Sequence, residues 1–498
     1  DSLRIVSPDE VEPAMSRRVS ASEIKGEGDA TLTSAKLYSY NYPSVDADGN
    51  PVTLSSLMAV PTKIFFDGLN AHPNNLVIGC HVTITSNYEC PTEYNKTGGT
   101  FSWMTDVGMQ ICYTRYSIFR QPCCLVIMPD YEGYGVSKNR AHPYLYQELT
   151  ARQVVDGVRY GLALYEANID EGEGFKSMED GWKSVCVGYS QGGSVALATH
   201  RFIEENGLAS KLNFGGSVCG DGPYDPVEHL LYYMSDNGTT YDGSEKTEHE
   251  AETVSMPIVM PLILKGMCDR NPFMRQHKVS DYLSQKFLQT GVIDFINAKK
   301  NSKDKQYSTG DINKAFQNMR SEGLDGSYTD VDGTTTKSSY TADQMKSMLY
   351  KESGGNVHGK LSEILTESGL SYFQQLVARR QEFGTVETPA GRGIMEDLHR
   401  ALASNSLVAG WTPTHRIAFY HSTYDTVVPY ANLLSFIRNQ DGLNYYFKNR
   451  DRSTAAGVTP SHIVAEDKAD IYIMDDDTTK DHVDAGKSFY FSGSPSPD

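Results

Sequence analysis

A serine between two glycines, in the stretch Gly188-Tyr-Ser190-Gln-Gly192, is the clearest candidate for chemistry in this sequence. The pattern G-x-S-x-G is typical of a sharp strand-to-helix turn that raises a serine hydroxyl above the edge of a sheet. Side chains beside the serine would clash in so tight a turn, which explains the glycines. We therefore interpret Ser190 as a nucleophile.

The residues on either side of Ser190 predict the strand and the helix that such a turn requires. Val185 to Val187 are apolar and rich in β-branched side chains, as in a buried strand. The stretch from Ser194 to Gly207 has apolar residues at helical spacing and ends in a glycine. The N-terminus of this helix favours developing negative charge beside the serine. The alternative is a glycine-rich turn with an incidental serine, but the flanking strand and helix favour a nucleophile.

A serine nucleophile needs an imidazole that takes its proton and a carboxylate that orients the imidazole. Asp425 follows the predicted strand that ends at Tyr420, and His482 follows the predicted strand that ends at Met474. Ser190, Asp425 and His482 therefore stand in the chain order Ser–acid–His after three predicted strands. Because the carboxyl ends of parallel strands share one sheet edge, we expect these side chains to meet there.

Other residues compete for the role of the acid. Asp221 and Asp225 follow the strand that comes after the Ser190 helix, where a catalytic acid can also lie. The position of Asp425 after the next sheet strand ranks it first, followed by Asp221 and then Asp225.

Other histidines compete with His482 for the role of the base. His462 precedes the last predicted strand, so it should lie at the opposite sheet edge. His421 follows a strand directly and is more typical of a structural position. Asp481 directly precedes His482 in the chain, so its carboxylate is poorly placed to hold the imidazole ring.

Strand and helix patterns alternate over much of the chain, which predicts an α/β fold with a mostly parallel sheet and helices on both faces. A glycine turn at residues 46–50 joins the first two predicted strands into a hairpin. Residues 1–30 are polar and suggest an arm. The predicted strands are Ala35–Tyr42, Val52–Val60, Leu76–Cys80, Cys124–Met128, Val185–Val187, Leu212–Cys219, Ile417–Tyr420 and Ile471–Met474. The predicted helices of this part are Thr100–Arg120, the stretch with Val154, Val155, Val158, Leu162 and Tyr165 on one face, Ser194–Gly207 and Asn432–Ile437.

The alternation stops after Asp225 and resumes near residue 405, which predicts a mostly helical insertion at 226–404. The expected organisation is a first core part at 1–225, the insertion as a cap, and a second core part at 405–498. The apolar segment Pro257–Met267 could line a pocket for an apolar substrate group or form the core of the insertion itself. The predicted helices of the insertion are Val279–Phe295, Ala342–Tyr350, Leu361–Phe383 and Ile394–Leu402.

Composition excludes some classes of protein. The formal net charge of −18 argues against nucleic acid and anionic membrane surfaces as partners. No apolar run approaches the roughly 20 residues that span a bilayer. The first residue is Asp1, which fits a mature exported protein or equally a trimmed one.

The sequence contains eight cysteines without the spacing of a zinc site. Cys186 and Cys219 lie in strand patterns and should be free and buried. Cys80 could pair with Cys90, and Cys112 with Cys123 or Cys124. Cysteine usage therefore permits an oxidising compartment without requiring one.

These motifs, in this order, resemble the serine hydrolases of the α/β-hydrolase superfamily, especially secretory lipases and bacterial cell-wall esterases. The resemblance covers roughly residues 76–486 without most of the insertion. The matching pieces are Pro129–Gly135, His142–Tyr144, Gly188–Gly193, Asn405–Trp411, His421–Pro429 and Asp481–His482.

The resemblance implies the α/β-hydrolase fold, a helical cap over the site and hydrolysis of acyl esters, usually outside the cytoplasm. It also implies two backbone N–H groups that bind the oxyanion, one from Gln191 and one from the loop after Cys80. Val82 replaces the glycine that is common in this loop, so the second donor is Val82 or Thr83, with Val82 preferred.

The expected function is that of a secreted or periplasmic carboxylic-ester hydrolase. Its substrate would be a small-molecule, lipid or cell-wall ester, and it would need no metal or organic cofactor. A serine aminopeptidase could use the same residues but would need an acidic pocket for the substrate amine. A hydrolase-like binding protein without turnover is the other alternative, although all three triad positions are filled.

Overall fold

A ten-stranded β-sheet forms the centre of the computed structural model of this chain. The strands lie in the order β1-β2-β3-β5-β4-β6-β7-β13-β15-β14. Strands β1 to β3 pair antiparallel with their neighbours, and all strands from β5 onward along this order are parallel. The structure describes residues 15–24, 33–62, 70–94, 105–114, 123–169, 174–235, 250–288, 328–329, 335–336, 349–353, 356–383, 388–440, 442–447, 469–476 and 480–492.

The sheet strands follow the apolar runs of the sequence. The predicted hairpin is confirmed, because the strands on either side of residues 46–50 pair over their full length and Gly49 adopts a φ of +79° in the turn. The strands of the sheet are β1 (Met15–Ile24), β2 (Thr33–Val45), β3 (Pro51–Pro61), β4 (Asn75–Cys80), β5 (Cys124–Pro129), β6 (Ser184–Tyr189), β7 (Phe214–Gly220), β13 (Arg416–Ser422), β14 (Asn444–Phe447) and β15 (Asp470–Asp476).

Helices cover both faces of this sheet, as the alternating pattern predicts. Successive residues of a strand point to opposite faces, so Ile127 joins the cluster under α2 and α3, whereas its neighbours Val126 and Met128 join the cluster under α1 and α11. The helices on the sheet are α1 (Asp106–Ile111), α2 (Gln147–Ala167), α3 (Gln191–Glu205), α10 (Ala431–Asn439) and α11 (His482–Ser492).

The described parts of residues 226–404 pack around a separate hydrophobic cluster. This cluster also takes in Tyr144 and Leu145 from the core, so it borders the sheet domain on one side. Its helices are α4 (Pro226–Tyr233), α5 (Val259–Arg270), α6 (Gln285–Leu288), α7 (Leu361–Ile364), α8 (Glu367–Phe383) and α9 (Ile394–Ser404). The described strands within residues 226–404 are β8 (Thr253–Val254), β9 (Tyr328–Thr329), β10 (Thr335–Thr336), β11 (Leu349–Ser353) and β12 (Asn356–Lys360).

Several sequence-based boundaries were wrong. The N-terminal arm contains β1, which pairs with β2, and the edge strand β14 was not predicted. Leu349 and Tyr350, predicted as helix, belong to β11, while residues 342–348 lie outside the described residues. The predicted helix over 361–383 is interrupted at Leu365, which has an extended backbone and forms a β-bridge with Leu283. The predicted helix over 279–295 is a short 3₁₀ turn followed by α6 as far as residue 288, and residues 289–295 are not described.

Two further helix predictions were partly right. Of the predicted helix over 100–120, α1 and a 3₁₀ turn at Cys112–Thr114 are described, and the remaining stretches lie outside the described residues except for the cap at Thr105. The helix after Ser190 begins at Gln191, three residues earlier than predicted. Among the described residues, no helix combines the length and apolar character needed to cross a bilayer.

All eight cysteines are free thiols, so the two proposed pairings were wrong. Cys80 packs in the cluster under α2 and α3, whereas Cys90 packs in a small cluster with Ile84 and Tyr134. Cys123 and Cys124 point at polar groups of the segment before β4 and not at Cys112. Cys186 and Cys219 are free and buried, as predicted, and burial raises the pKa of the Cys186 thiol well above its ordinary value.

Candidate active site

Ser190 occupies the turn between β6 and α3 with a backbone φ of +58° and ψ of −125°. A positive φ is strained for a residue with a side chain and is found mainly where the surrounding structure enforces it. The turn is enforced by close packing on neighbouring strands, since the Ser190 N–H donates to the Gly220 carbonyl at 2.9 Å. A Cβ on Gly192 would lie 2.2 Å from the Cys80 carbonyl oxygen, and one on Gly193 would lie 2.3 Å from that of Gly220.

The structure brings together the three side chains that the sequence singles out. The His482 Nε2 lies 2.8 Å from the Ser190 Oγ, and the His482 Nδ1 lies 2.5 Å from the Asp425 Oδ2. His482 is the first residue of α11, directly after the β15 loop, and Asp425 lies in the loop after β13. A carboxylate accepts hydrogen bonds, so the proton of the neutral imidazole lies on Nδ1. The Nε2 lone pair then faces the serine hydroxyl.

Asp425 is held as an ionised acceptor. Its Oδ1 accepts the backbone N–H groups of Val427 and Val428 at 2.8 and 2.9 Å. Burial by itself raises the pKa of this carboxyl, but the charge of protonated His482, the hydrogen bond to it and the backbone donors outweigh burial. The pKa of Asp425 is therefore lower than its ordinary value, and the carboxylate can orient the imidazole.

The competing acids have other partners. Asp221 is buried beside Asp425, contacts the Tyr189 hydroxyl and accepts the Ser422 N–H at 2.9 Å. Asp225 caps the N-terminus of α4 and accepts the Ser435 hydroxyl at 2.6 Å. Within the described residues, the contact with the His482 ring is made by Asp425.

Of the two competing histidines, His421 has other contacts and His462 lies outside the described residues. His421 is buried at the end of β13, and its Nε2 lies 2.9 Å from the Val428 carbonyl oxygen. Burial lowers the pKa of His421 to about 4, so it stays neutral near pH 7. His421 therefore braces the loop that carries Asp425. His462 lies outside the described residues.

The two predicted oxyanion donors differ in their surroundings. Gln191 is the first residue of α3, so its N–H stands at the helix end beside the serine. The Val82 N–H instead donates to the Asp106 Oδ2 at 3.1 Å. Thr83, the alternative, has its hydroxyl 2.8 Å from that of Tyr144. The hydrogen bond to Asp106 would have to be exchanged before Val82 could bind an oxyanion.

A histidine that sequence patterns did not single out for a role contacts Gln191, the residue after Ser190. The His142 Nδ1 is 2.9 Å from the Glu132 carbonyl oxygen, so Nδ1 carries the proton and Nε2 accepts. The His142 Nε2 then accepts the side-chain N–H of Gln191 at 2.9 Å. The only sequence signal for this contact was the His-Pro-Tyr stretch in the family resemblance.

An apolar cavity lies within the hydrophobic cluster of residues 226–404, and Leu145 of the core also lines it. Helix α5 lines it with Met260, Ile263 and Leu264, which share one helical face. His229 lines it as well, and its Nε2 lies 2.9 Å from the carbonyl oxygen of Val427, two residues beyond Asp425. The other lining residues are Leu145, Pro226, Leu230, Tyr233, Leu365, Phe373, Leu398 and Leu402.

Two clusters of described residues have donor atoms close enough to suit a metal ion, namely His200 with Glu204 and His415, and Asp221 with His421 and Asp425. In the first cluster, the Glu204 Oε1 accepts the backbone N–H groups of Thr414 and His415 at 2.9 and 2.8 Å. Both imidazoles contact the same oxygen, at 3.1 Å from His200 and 2.7 Å from His415. Hydrogen bonds within the protein therefore occupy the Glu204 Oε1 in the first cluster.

Comparison with known proteins supports the fold. No protein-family model and no curated protein matches the sequence. Among solved structures, the rice cell wall degrading esterase LipA from Xanthomonas oryzae is similar at a TM-score of 0.56 and 17% identity, over 93% of this chain and 88% of that chain. A Legionella pneumophila protein provisionally assigned as a hydrolase is similar at a TM-score of 0.55 and 14% identity, over 97% of this chain and 96% of that chain.

These similarities agree with the architecture. A mostly parallel sheet carries helices on both faces, and the serine turn lies between a central strand and the helix that follows it. The chain therefore has the α/β-hydrolase fold, as the resemblance implied. At these identities the similarity shows the fold, and the activity has to be argued from the site.

The packing of the serine turn makes a prediction about stability. A Cβ on Gly188 would lie 2.2 Å from the Gly192 carbonyl oxygen, which is backbone and cannot move aside cheaply. We expect Gly188→Ala to lower the free energy of unfolding by about 1–3 kcal/mol in chemical denaturation. Gly391→Ala is the matched control, because a Cβ there meets nothing within 4 Å. Equal stability of the two variants would contradict the close packing of the turn.

Proposed function

We propose that this protein is a serine hydrolase of carboxylic esters, with Ser190 as nucleophile, His482 as general base and Asp425 as the acid that orients His482. The observation that carries the proposal is the continuous chain of hydrogen bonds from the Ser190 Oγ through the His482 ring to the Asp425 carboxylate, at 2.8 and 2.5 Å. Nucleophile, base and orienting acid in this geometry are the requirements for acyl transfer.

The proposed reaction has two half-reactions. The His482 Nε2 removes the Ser190 proton while the Oγ attacks the ester carbonyl carbon, and the resulting imidazolium gives that proton to the leaving alkoxide. The acyl group then remains on Ser190 as an ester. In the second half, His482 takes a proton from water, the hydroxide attacks the acyl carbon, and the carboxylic acid leaves as the proton returns to the Ser190 Oγ.

The tetrahedral intermediate carries a negative oxygen that backbone N–H groups would stabilise. The Gln191 N–H at the start of α3 supports this role, because the helix N-terminus also favours negative charge. The Val82 N–H remains the proposed second donor, which requires it to exchange Asp106 for the oxyanion. Burial raises the pKa of Asp106 to about 6, so this carboxyl is partly protonated, and hence a weaker competitor, at mildly acidic pH.

The apolar cavity favours an acyl ester over a peptide with a free amine. None of the described residues that line the cavity is an aspartate or glutamate, whereas an aminopeptidase needs a carboxylate to bind the substrate amine. A binding protein without turnover would not need His482 between a serine and a buried carboxylate. The proposal includes action on small-molecule, lipid or cell-wall esters outside the cytoplasm. The structurally similar LipA is a rice cell wall degrading esterase.

The role of Ser190 can be tested by its removal. Ser190→Ala should lower kcat by up to about 10⁶-fold toward a chromogenic acyl ester while the unfolding transition is retained, because the nucleophile is lost and the hydroxyl fills no cavity. The wild type is assayed in parallel with an aminoacyl anilide, which the proposal expects to be a poor substrate. Undiminished ester hydrolysis by folded Ser190→Ala protein would refute the proposed nucleophile.

The role of Asp425 can be separated from that of its neighbours. Asp425→Asn should lower kcat by about 10⁴-fold, because an amide N–H facing the His482 Nδ1 favours the wrong tautomer. Asp225→Asn is the control, since asparagine caps a helix as well as aspartate does, and it should leave kcat near that of the wild type. If Asp425→Asn kept wild-type kcat, another group would have to orient His482.

The cavity makes a prediction about acyl chain length. The sequence suggested Pro257–Met267 as a segment that could line a pocket, and Met260, Ile263 and Leu264 of this segment line the cavity. If the acyl chain occupies this cavity, each buried methylene should contribute about 0.8 kcal/mol, or about fourfold in kcat/KM, until the cavity is full.

The test compares Ile263→Phe with Val259→Phe over an ester series of rising chain length. Both residues are partly buried on α5, but only Ile263 is among the lining residues. Ile263→Phe should move the optimum of kcat/KM toward shorter chains, and Val259→Phe should leave it in place. An optimum that is the same in both variants and the wild type would show that the acyl chain binds elsewhere.

A further inference from the structure

Tyr189, the residue before the nucleophile, has a hydroxyl that contacts two oxygen atoms. Its Oη lies 2.7 Å from the His482 carbonyl oxygen and still closer to the Asp221 Oδ2. A phenol has one proton, and a carbonyl oxygen can only accept. If Tyr189 donates to the carbonyl, the proton between Tyr189 and Asp221 must belong to Asp221. If Asp221 were ionised, one of the two short oxygen–oxygen contacts would have no proton in it.

The contact between Asp221 and Asp425 leads to the same assignment. Two neighbouring buried carboxylates cannot both ionise at low cost, so one of them keeps a proton. Asp425 receives the His482 Nδ1–H and two backbone N–H groups, all of which stabilise a negative charge. Of the described N–H groups, only that of Ser422 donates to Asp221, at one oxygen, and the other oxygen shares a contact with Tyr189. The charge therefore belongs to Asp425 and the proton to Asp221.

Among the described contacts of Asp221, no positively charged group opposes this assignment. Among the described residues, Asp425, Tyr189 and the Ser422 N–H interact with the Asp221 carboxyl. The His421 Nδ1 lies 3.6 Å from the Asp221 Oδ1. Burial lowers the pKa of His421 to about 4, so this ring is neutral at pH 7. Burial, and next the charge of Asp425, raise the pKa of Asp221 well above its ordinary value. The phenols of Tyr224 and Tyr420 also interact with Asp221 but carry no charge near pH 7.

We propose that Asp221 is a neutral carboxylic acid that donates its proton to the Tyr189 hydroxyl, which in turn donates to the His482 backbone carbonyl and so positions the general base. The inference rests on the proposed function, because it assigns His482 that role. His482 is the first residue of α11, so a hydrogen bond to its carbonyl fixes the backbone from which the ring must reach Ser190. Asp221 and Tyr189 are thus positioning residues, and Asp425 holds the single negative charge beside the ring.

The test is Asp221→Asn, which should mimic the protonated acid. The carboxamide oxygen can accept the Ser422 N–H while its NH₂ donates to Tyr189. We expect kcat/KM within about threefold of wild type and an unchanged midpoint of the acid limb of the pH–rate profile. An ionised Asp221 would behave differently, because its loss removes a charge near His482 and shifts the limb by about 1–3 pH units toward lower pH. Such a shift would overturn the proposal, as would a loss of kcat as large as that expected for Asp425→Asn.

Tyr189→Phe tests the second link, because it removes both hydrogen bonds but keeps the ring. We expect kcat to fall up to about 100-fold with KM nearly unchanged, as for a base that is displaced from its nucleophile. Asp225→Asn, in the loop after β7 that also carries Asp221, is the control and should leave kcat and the acid limb in place. A kcat for Tyr189→Phe equal to that of wild type would overturn the positioning role.

Infrared spectroscopy tests the protonation of Asp221 without substrate. The difference between wild type and Asp221→Asn at pH 7 should contain the carbonyl stretch of a protonated carboxylic acid, and its absence would overturn the proposal. This measurement also separates the protonation state of Asp221 from the proposed function. Full hydrolysis by Ser190→Ala would refute the proposed function but leave the infrared result intact, whereas a missing band would refute only the state of Asp221.

Discussion

The close stacking of the Ser190 turn on the backbones of its two neighbouring strands is the constraint on which the rest of the site depends. Gly192 approaches the Cys80 carbonyl at the end of β4, and the Ser190 N–H is bound by the Gly220 carbonyl at the end of β7. Because β4, β6 and β7 are adjacent and parallel, their carboxyl ends meet at this turn. The strained backbone at Ser190 is thus stabilised by the order of the strands, and the loops that carry Asp425 and His482 leave the next strands at the same edge.

A second constraint is the burial of a single negative charge behind the imidazole. An uncompensated buried carboxylate is costly, so the fold supplies Asp425 with N–H donors from its own loop and from His482. The neighbouring Asp221 lacks this set of donors. Where two carboxyl groups are buried together, the distribution of N–H donors decides which one is ionised. The local backbone of the β13 loop therefore decides which acid can act on His482.

Much of the fold and the set of side chains at the site followed from sequence, because both depend on local patterns and chain order. The apolar strand runs, the glycines around Ser190 and the order Ser–acid–His needed no knowledge of distant contacts. The edge strand β14, the break at Leu365 and the hydrogen bond from Val82 to Asp106 could not be predicted, since each depends on a partner far away in the chain. Likewise, Tyr189 occupies an unspecified position of the G-x-S-x-G pattern, and its link to Asp221 exists only after β6 and β7 pair.

The insertion at 226–404 illustrates the same limit of prediction from sequence. One of its helices also contacts a loop that reaches the site. Helix α5 is apolar on most sides, so its sequence could not indicate which face borders the cavity. At the end of this helix, Arg270 lies 3.0 Å from the buried Glu132 carboxylate. The Glu132 backbone carbonyl in turn accepts from His142, whose other nitrogen accepts the side chain of Gln191 beside the nucleophile. One loop of the core therefore contacts α5 through the Glu132 carboxylate and the Ser190 turn through the Glu132 carbonyl and His142.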